Sequence, residues 1–155
     1  MAERHWLGLD LGTKCGWAAM CGNRVSAGVW DLREWDLTGN IGSRMVGLFK
    51  HLCYHRDFFG AVTDVAYEDV MWHAGVYAAH MYGGLLAGVE AWCEERGIVP
   101  RPVGVTTIKK HATGSGRASK KQMVEAARQR EPGIPWTHDS ADAYWVLQWA
   151  RDNDP

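Results

Sequence analysis

Apolar positions fall into short runs near the N-terminus and into helical stripes further on. His5 to Asp10 reads as a short buried strand that ends in an acid. Leu11 to Lys14 is a turn. Cys15 to Cys21 and Arg24 to Trp30 are two more strand-like runs, and Gly22-Asn23 between them is a hairpin signal. From Gly42 to Phe59, Met45, Leu48, Phe49 and Leu52 recur at helical spacing. Ala61 to Glu68 is a fourth strand, again closed by an acid. Gly75 to Arg96 is a long helical run that Gly97 and Pro100 terminate. Ile98 to Val105 reads as a fifth strand, whose two prolines suggest an edge or an irregular course. Thr106 to Thr113 predicts a short helix, Gly114-Ser115-Gly116 a break, and Ser119 to Arg130 another helix. Pro132 and Pro135 bracket a loop before a final amphipathic helix over Asp139 to Arg151, where Trp145 and Trp149 belong to the core.

An early hairpin followed by alternating elements predicts one α/β domain over residues 1–155: a five-stranded mixed sheet flanked by helices. The length suits a single core. No apolar stretch reaches the roughly 18 residues that span a bilayer. Charged residues precede the first apolar segment, so no signal peptide is read there. The expectation is a soluble protein of the cytoplasm, bacterial or of a phage-infected cell. The four cysteines show no two-residue pairing of the zinc-knuckle or thioredoxin kind, and read as reduced thiols.

The net charge of −1 hides an asymmetry. Between Arg101 and Arg130 stand eight Lys/Arg and one acid, Glu125, a formal charge of +7 that leaves −8 on the rest. A basic segment on an acidic body is a candidate phosphate-binding footprint, although a solvated helix face has the same composition.

The acids carry the sharper signal. Asp10 and Glu68 close two strands, and neighbouring strands would bring them side by side. Asp139 and Asp142 are three apart and share a helix face. Four converging carboxylates repel unless a cation neutralises them, and an all-oxygen set suits Mg²⁺ or Mn²⁺ rather than zinc. Singly, each acid has a plainer role. Asp10 suits a turn cap, Glu68 a strand-end surface acid, and Asp139 the N-cap of the last helix.

Taken together with their flanks, these residues resemble the RuvC-type Holliday-junction resolvases of the RNase H-like superfamily. Leu7 to Gly12 with Gly16-Trp17-Ala18 looks like that family's first strand and second-strand start. Tyr67-Glu68-Asp69-Val70 looks like its Glu motif, and His138 to Ala143 like its closing Asp pair. Lys109, Gly114, Gly116 and Lys120 fall at the spacing of its basic segment. The resemblance implies the RNase H-like fold and a two-metal hydrolase that nicks four-way DNA junctions, leaving a 5′-phosphate and a 3′-hydroxyl. Asp10, Glu68, Asp139 and Asp142 would hold magnesium, with manganese able to substitute. Lys120 would stabilise charge at the scissile phosphate. Lys109 would position the backbone, with Arg117 and Lys121 as further phosphate contacts.

The same resemblance implies a homodimer. Tyr77 to Gly88, with Ala78, Ala79, Gly83, Gly84, Ala87 and Gly88, suits a closely approached dimer helix, and equally a helix packed on its own sheet. Where the family often carries a junction-stacking aromatic three residues after the Glu, this chain has Met71, followed by Trp72. Either suits a wedge, and Trp72 also suits a core cover. His138 suits both a tuning role and an ordinary helix start. Two rivals share parts of the pattern: a YqgF-type nuclease acting on RNA, and a non-catalytic binder of branched DNA. An actin-like kinase needs two such domains, for which 155 residues are too few.

Overall fold

The first strand is buried on both sides, and that organises everything around it. The computed structural model describes residues 2–59 and 61–155. Strand β1 (His5–Asp10) pairs antiparallel with β2 (Lys14–Cys21), which pairs antiparallel with β3 (Arg24–Asp31). The turn between β2 and β3 holds Gly22 at φ +57°, the left-handed conformation expected of the hairpin glycine. A short 3₁₀ turn, Leu32–Trp35, not foreseen from sequence, leads to helix α1 (Ile41–Phe59). Strand β4 (Asp64–Asp69) then inserts beside β1, parallel to it. Helix α2 (Val76–Glu94) crosses over to β5 (Arg101–Gly104), parallel to β4 at the sheet edge. Helices α3 (Val105–Thr113), α4 (Lys120–Arg130) and α5 (His138–Asp152) complete the chain. The sheet order is β3-β2-β1-β4-β5.

Strand alternation sends side chains to two cores. Leu7, Leu9, Ala19, Val65 and Tyr67 pack with Leu48 and Leu52 of α1 and Leu85, Val89 and Trp92 of α2. Trp6, Ala18, Met20, Ala66 and Val103 face the other way, onto α3, α4 and α5. Full burial of each leucine contributes on the order of 1.5–3 kcal/mol. Trp145 is buried and Trp149 partly so, both in this second core as their spacing predicts.

Two glycines let α5 lie directly on the sheet. A Cβ on Gly8 would stand 2.3 Å from the Ala143 carbonyl oxygen and 2.8 Å from Leu147 Cβ. A Cβ on Gly16, which pairs with Asp10, would stand 2.0 Å from the Asp139 carbonyl oxygen. The helix backbone therefore touches β1 and β2 at two points, and its first turn is pinned next to Asp10.

Several sequence boundaries move. Ala61–Thr63 precedes β4 rather than belonging to it, and β5 is four residues long, with Pro100 outside and Pro102 exposed at the edge. The N-cap of α5 is Thr137, not Asp139. Thr137 Oγ1 accepts from the Ser140 amide at 3.1 Å and Ser140 Oγ accepts from the Thr137 amide at 3.0 Å, a capping box that leaves the Asp139 carboxylate free for another role.

Candidate metal and nucleic-acid site

Parallel pairing of β1 with β4 puts the C-terminal ends of both strands at the same edge, so Asp10 and Glu68 become neighbours. One turn into α5, Asp142 reaches the same point. Asp10, Glu68 and Asp142 each offer a carboxylate oxygen, and the three oxygens lie within 4.8 Å of one another. Asp139 stands one step off: it is outside that group of three, yet near enough for its charge to act on both Asp10 and Asp142.

The electrostatics report a crowded negative site. Burial first, and then the charge of Glu68, holds the Asp10 carboxyl well above the usual carboxylate range. A hydrogen bond to Glu68, which only a protonated Asp10 can donate, adds to this. Burial and then Glu68 and Asp139 push Asp142 up to about 7, while Lys120 and Lys109 pull it down. Three oxygen donors, partly buried and short of positive charge, form a fitting cradle for a hard divalent cation. Cys15 is fully buried in the core packed against α1 and α2, and its thiol is pushed up by burial and then by the charge of Asp10.

Other parts of the fold hold these acids in place. Tyr82 of α2 donates its hydroxyl hydrogen to the Glu68 carbonyl at 2.8 Å and accepts from the Val70 amide at 3.2 Å. The strand end is thereby clipped to the helix. Neither Tyr82 nor the seat that Gly16 provides for Asp139 is evident from the sequence, because both depend on contacts between distant elements.

The cations foreseen from sequence divide into two groups. Lys109 on α3 and Lys120 at the first position of α4 are the two whose charge reaches Asp142. Ser119 caps the start of the helix that carries Lys120: its hydroxyl accepts from the Gln122 amide at 3.2 Å and its own amide donates to Gln122 Oε1 at 2.8 Å. Arg117 and Lys121 are exposed on the same α3–α4 side. Met71 and Trp72, just past Glu68, are 85% and 79% exposed. Trp72 therefore does not cover the core. His138 is exposed at the start of α5.

In α2 the small residues split. A Cβ on Gly84 would meet Ile41 Cγ2 at 3.0 Å, and one on Gly88 would meet Met45 Cε at 3.0 Å, so both serve packing against α1. Gly83 faces open space, and Ala78 and Ala87 are exposed. Among the described residues no helix is long and apolar enough to cross a membrane.

A mixed five-stranded sheet in this order, with acids at the ends of its two central parallel strands and on the last helix, defines the RNase H-like fold. Solved structures place it more narrowly. The chain superposes on RuvC of Thermus thermophilus with a TM-score of 0.74, at 20% identity over 96% of each chain. The T. thermophilus RuvC in complex with a Holliday junction substrate gives 0.75, at 19% identity over 93% of this chain and 90% of that one. Yeast mitochondrial Holliday junction resolvase Ydc2 gives 0.63, at 16% identity over 94% of this chain and 76% of that one. No protein-family model and no curated protein matches the sequence. At these identities the likeness establishes the fold, which is that of RuvC.

Proposed function

We propose that the protein is a divalent-metal-dependent endonuclease that resolves four-way DNA junctions by paired nicks. The observation that carries this reading is the convergence of Asp10, Glu68 and Asp142 within 4.8 Å on a RuvC fold. Asp139 completes the negative rim. Magnesium is the resident ion, with manganese able to replace it, because every donor is a carboxylate oxygen. When bound, a pair of such ions supplies charge compensation at the phosphate and a nucleophile at neutral pH.

The chain's own groups do the rest. The four acids orient the ions and fix where the phosphate must sit. Lys120, at the capped start of α4, stabilises charge developing on the scissile phosphate, and Lys109 anchors the neighbouring backbone. Arg117 and Lys121 extend the phosphate contacts. Met71 and Trp72 stand exposed just past Glu68, where either can wedge at the crossover and the Trp72 ring can stack on an unpaired base, a contact worth about 1–3 kcal/mol for an aromatic. Two such sites in a homodimer give paired cuts. The exposed stripe of α2 that includes Tyr77, His80, Gly83 and Ala87 is the face on which a second copy fits.

The reading is tested by incubating the protein with a synthetic four-way junction, a linear duplex and an RNA–DNA hybrid, with Mg²⁺ or with EDTA. Symmetric, Mg²⁺-dependent nicks confined to the junction support it. Cleavage of the RNA strand moves the assignment to a YqgF-type nuclease. Tight junction binding without cleavage in Mg²⁺ or Mn²⁺ leaves a branched-DNA binder.

A further inference from the structure

Beside the acids, a groove of about 510 Å³ runs between α4 and the segment that enters α5. One wall is a single stripe of α4. Lys121, Val124, Glu125 and Arg128 recur at the three- and four-residue spacing of one helix face. His138 lines the other wall. Between them Val124 and Trp136, only 8% and 9% exposed, make an apolar floor. The Trp136 indole is fixed there, its Nε1 hydrogen donated to the Glu131 carbonyl at 3.0 Å.

The position of the groove matters as much as its lining. Lys121 follows Lys120, whose charge reaches Asp142, and His138 stands one turn before Asp142 on the same face of α5, so both walls start next to residues of the site. Arg128 lies seven residues further along α4, about 10 Å by helical rise, the axial length of about three stacked nucleotides. Its guanidinium bonds Glu125 at 2.7 Å, which holds it along the groove and leaves further donors of the fork toward solvent.

We propose that this groove carries the DNA strand on one side of the scissile phosphate. Lys121 and Arg128 take its next phosphates, and the floor of Val124 and Trp136 with the His138 ring takes a sugar or base. The inference rests on the nuclease reading and adds the course of the substrate strand as it leaves the acids. It makes Arg128 and His138 binding residues, and it gives Glu125 the opposite sign, since its carboxylate repels the same phosphates.

The test is fluorescence anisotropy in EDTA, where binding is read without cleavage, over a series of salt concentrations. The probes are a four-way junction and a linear duplex. The Lys121→Gln/Arg128→Gln double variant should bind the junction at least tenfold more weakly. Its plot of log K against log salt should flatten by about 1.8, two contacts at about 0.9 each. Glu125→Gln should tighten binding, and Lys50→Gln, on α1 across the sheet from α4, should leave it unchanged. A double variant with the wild-type slope overturns the groove. A wild-type protein that binds duplex as tightly as junction overturns the resolvase reading instead, and a flattened slope on duplex then still supports the groove.

Discussion

Removing a negative charge from the acid cluster should stabilise the metal-free protein, and Asp142→Asn isolates the effect. Asp142 is pushed from 3.8 up to about 7 by burial and by its acidic neighbours. Its folded-state pKa is raised, so the stability of the protonated form is fully present below about pH 4, is lost as pH climbs to 7, and stays lost above. A shift of that size corresponds to about 4 kcal/mol at most. Because the neighbouring acids redistribute protons when one charge is removed, the relief expected is about half, roughly 2 kcal/mol. Asparagine has the same shape and never charges. The variant should therefore equal wild type near pH 4 and exceed it by about 2 kcal/mol at pH 8, a rise in Tm of about 4–8 °C for a chain of this length.

The assay is thermal unfolding in EDTA from pH 4 to pH 8.5, repeated in saturating Mg²⁺ or Mn²⁺. Burial pushes His55 down to about 4, so both proteins lose stability together as pH falls from about 6.5, and the difference between them is unaffected. In metal the ordering should narrow or invert. Wild type gains stability by mass action, and the variant, with one oxygen donor weakened, gains less. A variant no more stable than wild type at pH 8 in EDTA would refute the reasoning, as would a gap that persists unchanged at pH 4.

Further outcomes follow from the same geometry. Asp10→Asn should abolish metal-dependent nicking while leaving junction binding in EDTA within about threefold, checked by gel cleavage and anisotropy. Gly16→Ala should cost more than about 2 kcal/mol in urea unfolding, because its methyl would sit 2.0 Å from the Asp139 carbonyl oxygen and α5 must move. Lys109→Ala should weaken junction binding and flatten its salt dependence by about 0.9, read from titrations at several salt concentrations. Gly83→Leu, whose Cβ would meet no described neighbour within 4 Å, should leave the Tm nearly unchanged but shift a dimer toward monomer in sedimentation, whereas Gly88→Leu should destabilise the fold by displacing Met45.

The elements that sequence periodicity located best are those whose burial is set within one segment. β1 is apolar on both faces and closed by an acid; the 42–59 stripe of Met45, Leu48, Phe49 and Leu52 gave α1 to within a residue at its start. β5 was harder. Only Arg101–Gly104 pairs with β4, and nothing local distinguishes Ile98, which is buried beneath α2, from a strand residue. The small residues of α2 show a similar limit. Six of them looked alike in sequence, yet Gly84 and Gly88 face α1 while Gly83 and Ala87 face outward. Helical phase is readable, but which phase meets a neighbour depends on where α1 lies.

The site divides along the same line. Asp10 and Glu68 were legible because an acid at a strand end is a local feature, and parallel pairing of β1 with β4 is the natural consequence of a crossover through a helix. The reach of Asp142 into that pair required a different fact: that α5 can lie with its backbone against β1 and β2. Gly8 and Gly16 provide it, and they could be read beforehand only as parts of a motif. Any side chain at Gly8 would lift α5 near Ala143, and any at Gly16 would lift it at Asp139, each by ångströms. A displacement of that size would separate Asp142 from oxygens now within 4.8 Å of it and dissolve the cradle without altering one acid. The two glycines thus determine whether four carboxylates scattered along the chain become a single charged site.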